Sequence, residues 1–192
     1  MDIREQIVKY QPFNEQEEKD KAELLKWIDT GLDLWTRENG MAHWTASAWV
    51  CDHTHKNVLM VYHNIYQSWS WLGGHADGEH DLLKTAVKEV KEESGVKHVK
   101  PLSEDIFSIE ILTVDGHIKH GAYVSSHLHL NVTYLLEADM HDPVFIKKDE
   151  NSAVGWFTLD EAVQKSSEPW FREHIYNKLN EKIRQYEKDK RI

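Results

Sequence analysis

The spacing of apolar and polar positions changes period several times along the chain. Asn14, with Glu17 three residues on, opens a stretch in which Ala22, Leu24, Leu25, Trp27 and Ile28 recur at helical spacing, a capping-box start to a helix. That helix and the 32–39 segment read as an extension ahead of the main module. Residues 44–51 and 58–62 read as strands, the second a continuous apolar run suited to a sheet covered on both faces. From Asp81 to Ser94 the apolar residues Leu83, Ala86, Val87 and Val90 gather on one helical face, and Gly95 follows where a left-handed C-cap is expected. Strands are expected at 106–114, 126–136 and 153–157, with a loop through Gly116 and Gly121 after the first. Thr158 and Glu161 cap a short helix, and Ser167 and Pro169 start a C-terminal helix whose late residues, 181–190, are strongly polar. This order is not a regular parallel repeat, and it predicts an α/β fold with a central mixed sheet sandwiched by helices.

The helix over 81–94 also carries acids. At about 100° per residue, Glu89, Glu92 and Glu93 fall within roughly 100° of arc beside the apolar face. Acids three and four positions apart repel by about 0.2–0.5 kcal/mol per pair on an exposed helix, and a bound cation reverses that sign. Hard cations such as Mg²⁺ take oxygen ligands and are commonly held by one or two carboxylates together with substrate phosphates. Ahead of the helix, Gly73 and Gly74 are expected to form a turn, and Gly78 a second bend.

Read from Gly74, the residues Gly74, Glu89, Val90, Glu92, Glu93, Gly95 and Val96 stand in register with the Nudix box, and the chain is similar to the Nudix hydrolase family. Two positions depart from the pattern. His80 stands where the box has its first glutamate, and Lys88 where it has arginine. The segments Trp69-Ser70-Trp71-Leu72 and Val154-Gly155-Trp156-Phe157 look like Nudix flanks. The resemblance implies an α/β/α sandwich over 41–166, with a helical extension over 1–40 and a C-terminal helix over 167–192. It implies hydrolysis of a diphosphate bond in a nucleoside diphosphate linked to another moiety, with Mg²⁺, or Mn²⁺, held by Glu89, Glu92 and Glu93.

The same resemblance implies that Gly74 and His75 reach the substrate phosphate and that Lys88 orients the acids, as a point donor rather than the planar fork of arginine. Glu93 and Glu89 are candidates for the base that activates water. A glutamate on a later loop performs that task in many Nudix enzymes, and Glu150, ahead of Trp156, matches its location. Two other readings stay open. One is a degenerate module that senses a ligand or a protein partner, which His80 and Lys88 keep alive. The other is a diphosphate isomerase, for whose acid site Cys51 offers no clear counterpart.

Composition narrows the partners. In 192 residues with 40% hydrophobic content the chain can bury one good core. A net charge of −10 argues against nonspecific binding to nucleic acid or to an anionic membrane. The expected partner is a small phosphate-bearing substrate, and a homodimer is compatible with the sequence. Cys51, the sole cysteine, excludes an intrachain disulfide and is expected to pack as a small apolar residue. With no apolar signal core and no run of about 18 apolar residues, a cytoplasmic protein is the default.

Among thirteen histidines, His127 and His129 share a strand face with Asn131 and Thr133, while Leu128, Leu130, Val132 and Tyr134 take the other. In a sheet covered on both sides a polar strip lines a cavity or finds partners. His127, His129 and Asn131 are therefore expected to contact the substrate, against the equal reading of a solvated strand face. Trp44, Trp49, Trp69, Trp71 and Tyr123 are candidates for stacking a base, although tryptophans more often build cores.

Overall fold

The computed structural model describes residues 1–119 and 121–189; the expected loop residue His120 and the tail residue Lys190 lie outside them. In chain order the elements are α1 (Ile3–Lys9), α2 (Glu15–Asp29), β1 (Ala42–Cys51), β2 (Asn57–His63), β3 (Ser68–Ser70), β4 (Leu72–His75) and α3 (Leu82–Ser94). There follow β5 (Val99–Pro101), β6 (Ser108–Val114), β7 (His117–Lys119), β8 (Ala122–Val124), β9 (His127–Ala138), β10 (Asn151–Thr158), α4 (Leu159–Lys165), a π-helical turn (Phe171–Tyr176) and α5 (Asn177–Asp189). The fold is α/β, with strands ordered β10-β2-β1-β9-β5 in the principal sheet. No helix among the described residues is long and apolar enough to cross a membrane.

By internal contacts the chain divides into two compact units that interleave in sequence. The first comprises Met1–Ser47, Gly73–Thr85 and Glu104–Tyr134. Asp2 opens α1 with a reciprocal capping box. Asn14 caps α2 by accepting from the Glu17 amide, as expected, but Glu17 reaches back to the amide of Phe13 at 2.7 Å instead of closing the box on Asn14. The reason lies beyond the helix: Glu17 is fully buried and also accepts from the hydroxyls of Tyr10 and Ser108. β6 pairs antiparallel with β9, Glu110 opposite Asn131, and β7 with β8 form a separate hairpin.

The glycine pair behaves differently from the expected turn. Gly73 and Gly74 lie within β4, and a Cβ on Gly73 would come 2.6 Å from the Ala46 carbonyl oxygen and 2.8 Å from Ser47 Cα. What this position requires is close backbone approach rather than an unusual angle. The bend falls at Asp77 and Gly78, both at positive φ, where Arg37 forks onto the Asp77 carboxylate at 2.7 and 2.8 Å. Asp81 then caps α3 by accepting from the Lys84 amide.

The second unit comprises Ala48–Leu72, Ala86–Ser103 and the chain from Leu135 onward. β2 pairs antiparallel with β1, β3 and β10, and β5 with β9. Its core contains Trp49, Val58, Leu59, Met60, Val90, Leu136, Ile175 and Tyr176. Cys51 is buried there and donates to the Leu136 carbonyl, the small-residue packing expected of it. Gly95 ends α3 at φ 73°, the anticipated left-handed cap. Thr158 and Glu161 form the expected capping box at α4.

Candidate active site

The carboxylates of α3 are gathered by two lysines within the second unit. Lys88 Nζ lies 3.0 Å from Glu89 and 3.3 Å from Glu92, so one ammonium serves two acids of the helix. Lys147, on the loop before β10, stands 2.9 Å from Glu150 and 3.8 Å from Glu92. Glu150 is thus joined to the helix acids through Glu92. Hydrogen bonding to Glu89 raises the Lys88 pKa. Burial would lower that of Lys147, but the Glu150 carboxylate and the charges of Glu89 and Glu92 outweigh it, and the pKa is raised.

The backbone fixes this loop to the end of α3. The Asn151 side-chain amide donates to the Glu93 carbonyl at 2.9 Å, and the Phe145 amide to the Ser94 carbonyl at 2.7 Å. Phe145 also packs on Gly95, where a Cβ would meet its ring at 2.8 Å. Glu93 itself is buried, Glu89 nearly so, and Glu92 and Glu150 are more open. The carboxylates of Glu89, Glu92 and Glu93, with Glu150 joined to Glu92 through Lys147, supply hard oxygen without thiolate, which fits a cation of the Mg²⁺ class.

The first unit holds a different group. His43 on β1, His75 at the end of β4, and His127 and His129 on β9 cluster with their rings tilted against one another, neighbouring ring centroids lying 4.9–5.2 Å apart. Burial, with the neighbouring His75, His43, His127 and His117, pushes His129 down to about 2. His80, where the box has glutamate, stacks on Trp35 at 4.2 Å, and Glu79 is paired with Lys84.

Asn131 corrects the sequence reading. Its side chain is fully buried, accepting from Thr45 at 2.8 Å and Ser47 at 2.9 Å and donating to Glu110 at 2.8 Å and Thr133 at 3.2 Å. With its amide engaged on both sides, it is a strut of the sheet rather than a substrate contact. Trp44 and Trp49 are likewise core residues, not stacking platforms, while Tyr123 is exposed. Two residues escaped the sequence reading. Lys147 precedes Glu150 at i−3, the spacing of a helical ion pair in a segment expected to be loop. His43 had a stronger signal: His43, Thr45 and Ser47 alternate as a polar stripe matching His129, Asn131 and Thr133.

The NUDIX domain family matches residues 41–179, well over half of the chain, which therefore belongs to the Nudix family. Several solved structures share the fold, among them three hydrolases. An Ap4A hydrolase of C. elegans in a binary complex is 18% identical, covers 76% of this chain and 98% of its own, with a TM-score of 0.53. A NUDIX-family hydrolase from Clostridium perfringens is 18% identical, with 75% and 97% covered and a TM-score of 0.52. The dihydroneopterin triphosphate pyrophosphohydrolase of E. coli is 15% identical, with 74% and 93% covered and a TM-score of 0.53. No curated protein sequence matches the chain. The α/β fold read from the sequence is the fold of these hydrolases.

Proposed function

We propose that the protein is a Mg²⁺- or Mn²⁺-dependent pyrophosphohydrolase that cleaves a diphosphate bond in a nucleoside diphosphate linked to another moiety. The observation that carries this reading is the group Glu89, Glu92 and Glu150, held together by Lys88 and Lys147 beside Glu93. Glu89, Glu92 and Glu93 would hold the metal, which would supply positive charge to the phosphate oxygens as water attacks. Glu93 accepts the proton of that water, with Glu89 and Glu150 the further candidates for base. Lys88 orients the acids through its two contacts. Gly74, His75, His127 and His129 contact the substrate. The division of labour along the chain follows: a helical extension over 1–40, the catalytic module over 41–166 and a C-terminal segment from 167 that carries α5.

A panel of nucleotide sugars, dinucleoside polyphosphates and nucleoside triphosphates, assayed with Mg²⁺ or Mn²⁺ and read by product mass, tests the proposal. Hydrolysis splits the diphosphate, isomerisation preserves its mass, and a sensor binds without turnover. Glu93→Gln should lower turnover by about two to four orders of magnitude, in the range lost with a general base or metal ligand. Near-normal turnover in a folded Glu93→Gln protein would sink the mechanism.

A further inference from the structure

We propose that His43, His75 and His129 form a second metal site, distinct in its chemistry from the carboxylate group, that binds one divalent transition ion of the zinc class. One ring nitrogen from each of the three lies within 4.8 Å of those of the other two. Imidazole is a borderline ligand that suits Zn²⁺, Ni²⁺, Co²⁺ and Fe²⁺, whereas Mg²⁺ selects oxygen. Three histidines are also the protein ligand set of open zinc sites, which leave a further position for water or an anion.

The hydrogen bonding of His43 leaves one of its ring nitrogens open to a ligand. His43 is 4% exposed, and its Nε2 has no hydrogen-bond partner among the described residues, although a buried polar atom normally has one. Its other nitrogen lies 3.2 Å from the Asn39 carbonyl oxygen. A carbonyl only accepts, so Nδ1 carries the proton and neutral His43 presents a lone pair at Nε2. That is how a carbonyl behind a metal-bound histidine fixes its tautomer. His127 repeats the arrangement, donating from Nδ1 to the Ser125 carbonyl at 2.8 Å.

His127 also brings the group close to coordination distances. Its Nε2 lies 3.2 Å from His129 Nε2. Two nitrogens bound to one tetrahedral ion, each at about 2.0–2.1 Å, stand roughly 3.3 Å apart. In the metal-free protein this contact is an imidazole–imidazole hydrogen bond. In the loaded protein His127 is the neighbour placed to complete or steady the site. The open position lets an anionic ligand meet the ion, so the proposal goes beyond substrate contact by the same histidines without excluding it.

The full chain, stripped with a chelator and held in saturating Mg²⁺ so that the carboxylate group is satisfied, is titrated with Zn²⁺ against a chromogenic chelator and, separately, with Co²⁺. One Zn²⁺ per chain should be retained through gel filtration, and Co²⁺ should give the intense visible absorption of a low-coordinate site. His43→Gln and His129→Gln should weaken Zn²⁺ binding at least a hundredfold, with far-UV circular dichroism verifying the fold, and the less buried His75→Gln provides the same loss if either fails to fold. Glu93→Gln should keep its Zn²⁺. Absence of a retained ion, or binding that survives the histidine variants and vanishes in Glu93→Gln, would overturn the site and leave the hydrolase reading intact.

Discussion

Lys147 Nζ lies 2.9 Å from Glu150 and 3.8 Å from Glu92, so the loop before β10 and helix α3 are joined through a single ammonium. That ammonium and a Mg²⁺ ion would draw on the same carboxylates. Lys147→Met should therefore tighten Mg²⁺ several-fold while lowering the melting temperature of the metal-free protein, where the acids lose their counter-charge. Calorimetric titration of both proteins measures the effect. Weaker Mg²⁺ binding would show instead that Lys147 holds the acids in the geometry the ion needs.

Gly95→Ala probes the other attachment of that loop. At φ 73° any side chain is strained, and the added carbon would come 2.8 Å from the Phe145 ring. We expect a loss of about 1–3 kcal/mol in urea unfolding, with kcat/KM reduced because the displaced loop carries Glu150. Unaltered stability would mean that Phe145 swings clear at no cost.

His80 has an aromatic partner. Its 4.2 Å stack on Trp35 predicts that His80→Glu loses about 0.5–1.5 kcal/mol of stability. The substitution also restores the acid that the Nudix box carries at this position, and Mg²⁺ binding should tighten with it. If stability falls and Mg²⁺ affinity stays where it was, position 80 serves Trp35 alone.

Acid should destabilise the metal-free protein through His129. Its folded pKa, pushed to about 2, lies below the roughly 6.5 of an unfolded histidine. Below about pH 6.5 the unfolded chain takes up a proton that the folded chain refuses, so stability is full above that pH and falls by about 1.4 kcal/mol per unit as pH drops. Burial is the larger cause of the depressed pKa, and the groups that face it, His75, His43, His127 and His117, act in the same direction. Urea unfolding between about pH 7.5 and about pH 5 should show a shallower dependence for His129→Gln than for the parent. Equal slopes would mean that His129 takes up its proton in the folded state.

What the sequence made legible follows the length of the signal. The paired glutamates, Gly95 and the long strands β1, β2, β6, β9 and β10 each span enough residues for their period to show. The strands of three or four residues, β3, β4, β5, β7 and β8, do not, and Gly73 reads as a turn residue unless one knows that Ser47 lies against it. Asn131 was misread for a related reason: alternation places a polar residue on a face but says nothing of whether water or Glu110 waits there. Lys147 and His43 become visible only when segments distant in sequence are brought together.

Asn131 also has a consequence for how the chain finds its pairing. A strand that slips by one residue against its neighbour turns its apolar side chains to the wrong face, and the core rejects it. A slip of two residues keeps every face correct, so apolar burial alone discriminates poorly against it. Asn131 supplies the missing discrimination, because it lies directly opposite Glu110 and a two-residue slip would strand that carboxylate in the interior away from its amide. The buried polar rung acts as a proofreading device for β6 and β9, and the histidines two and four residues before Asn131 inherit their alignment from it.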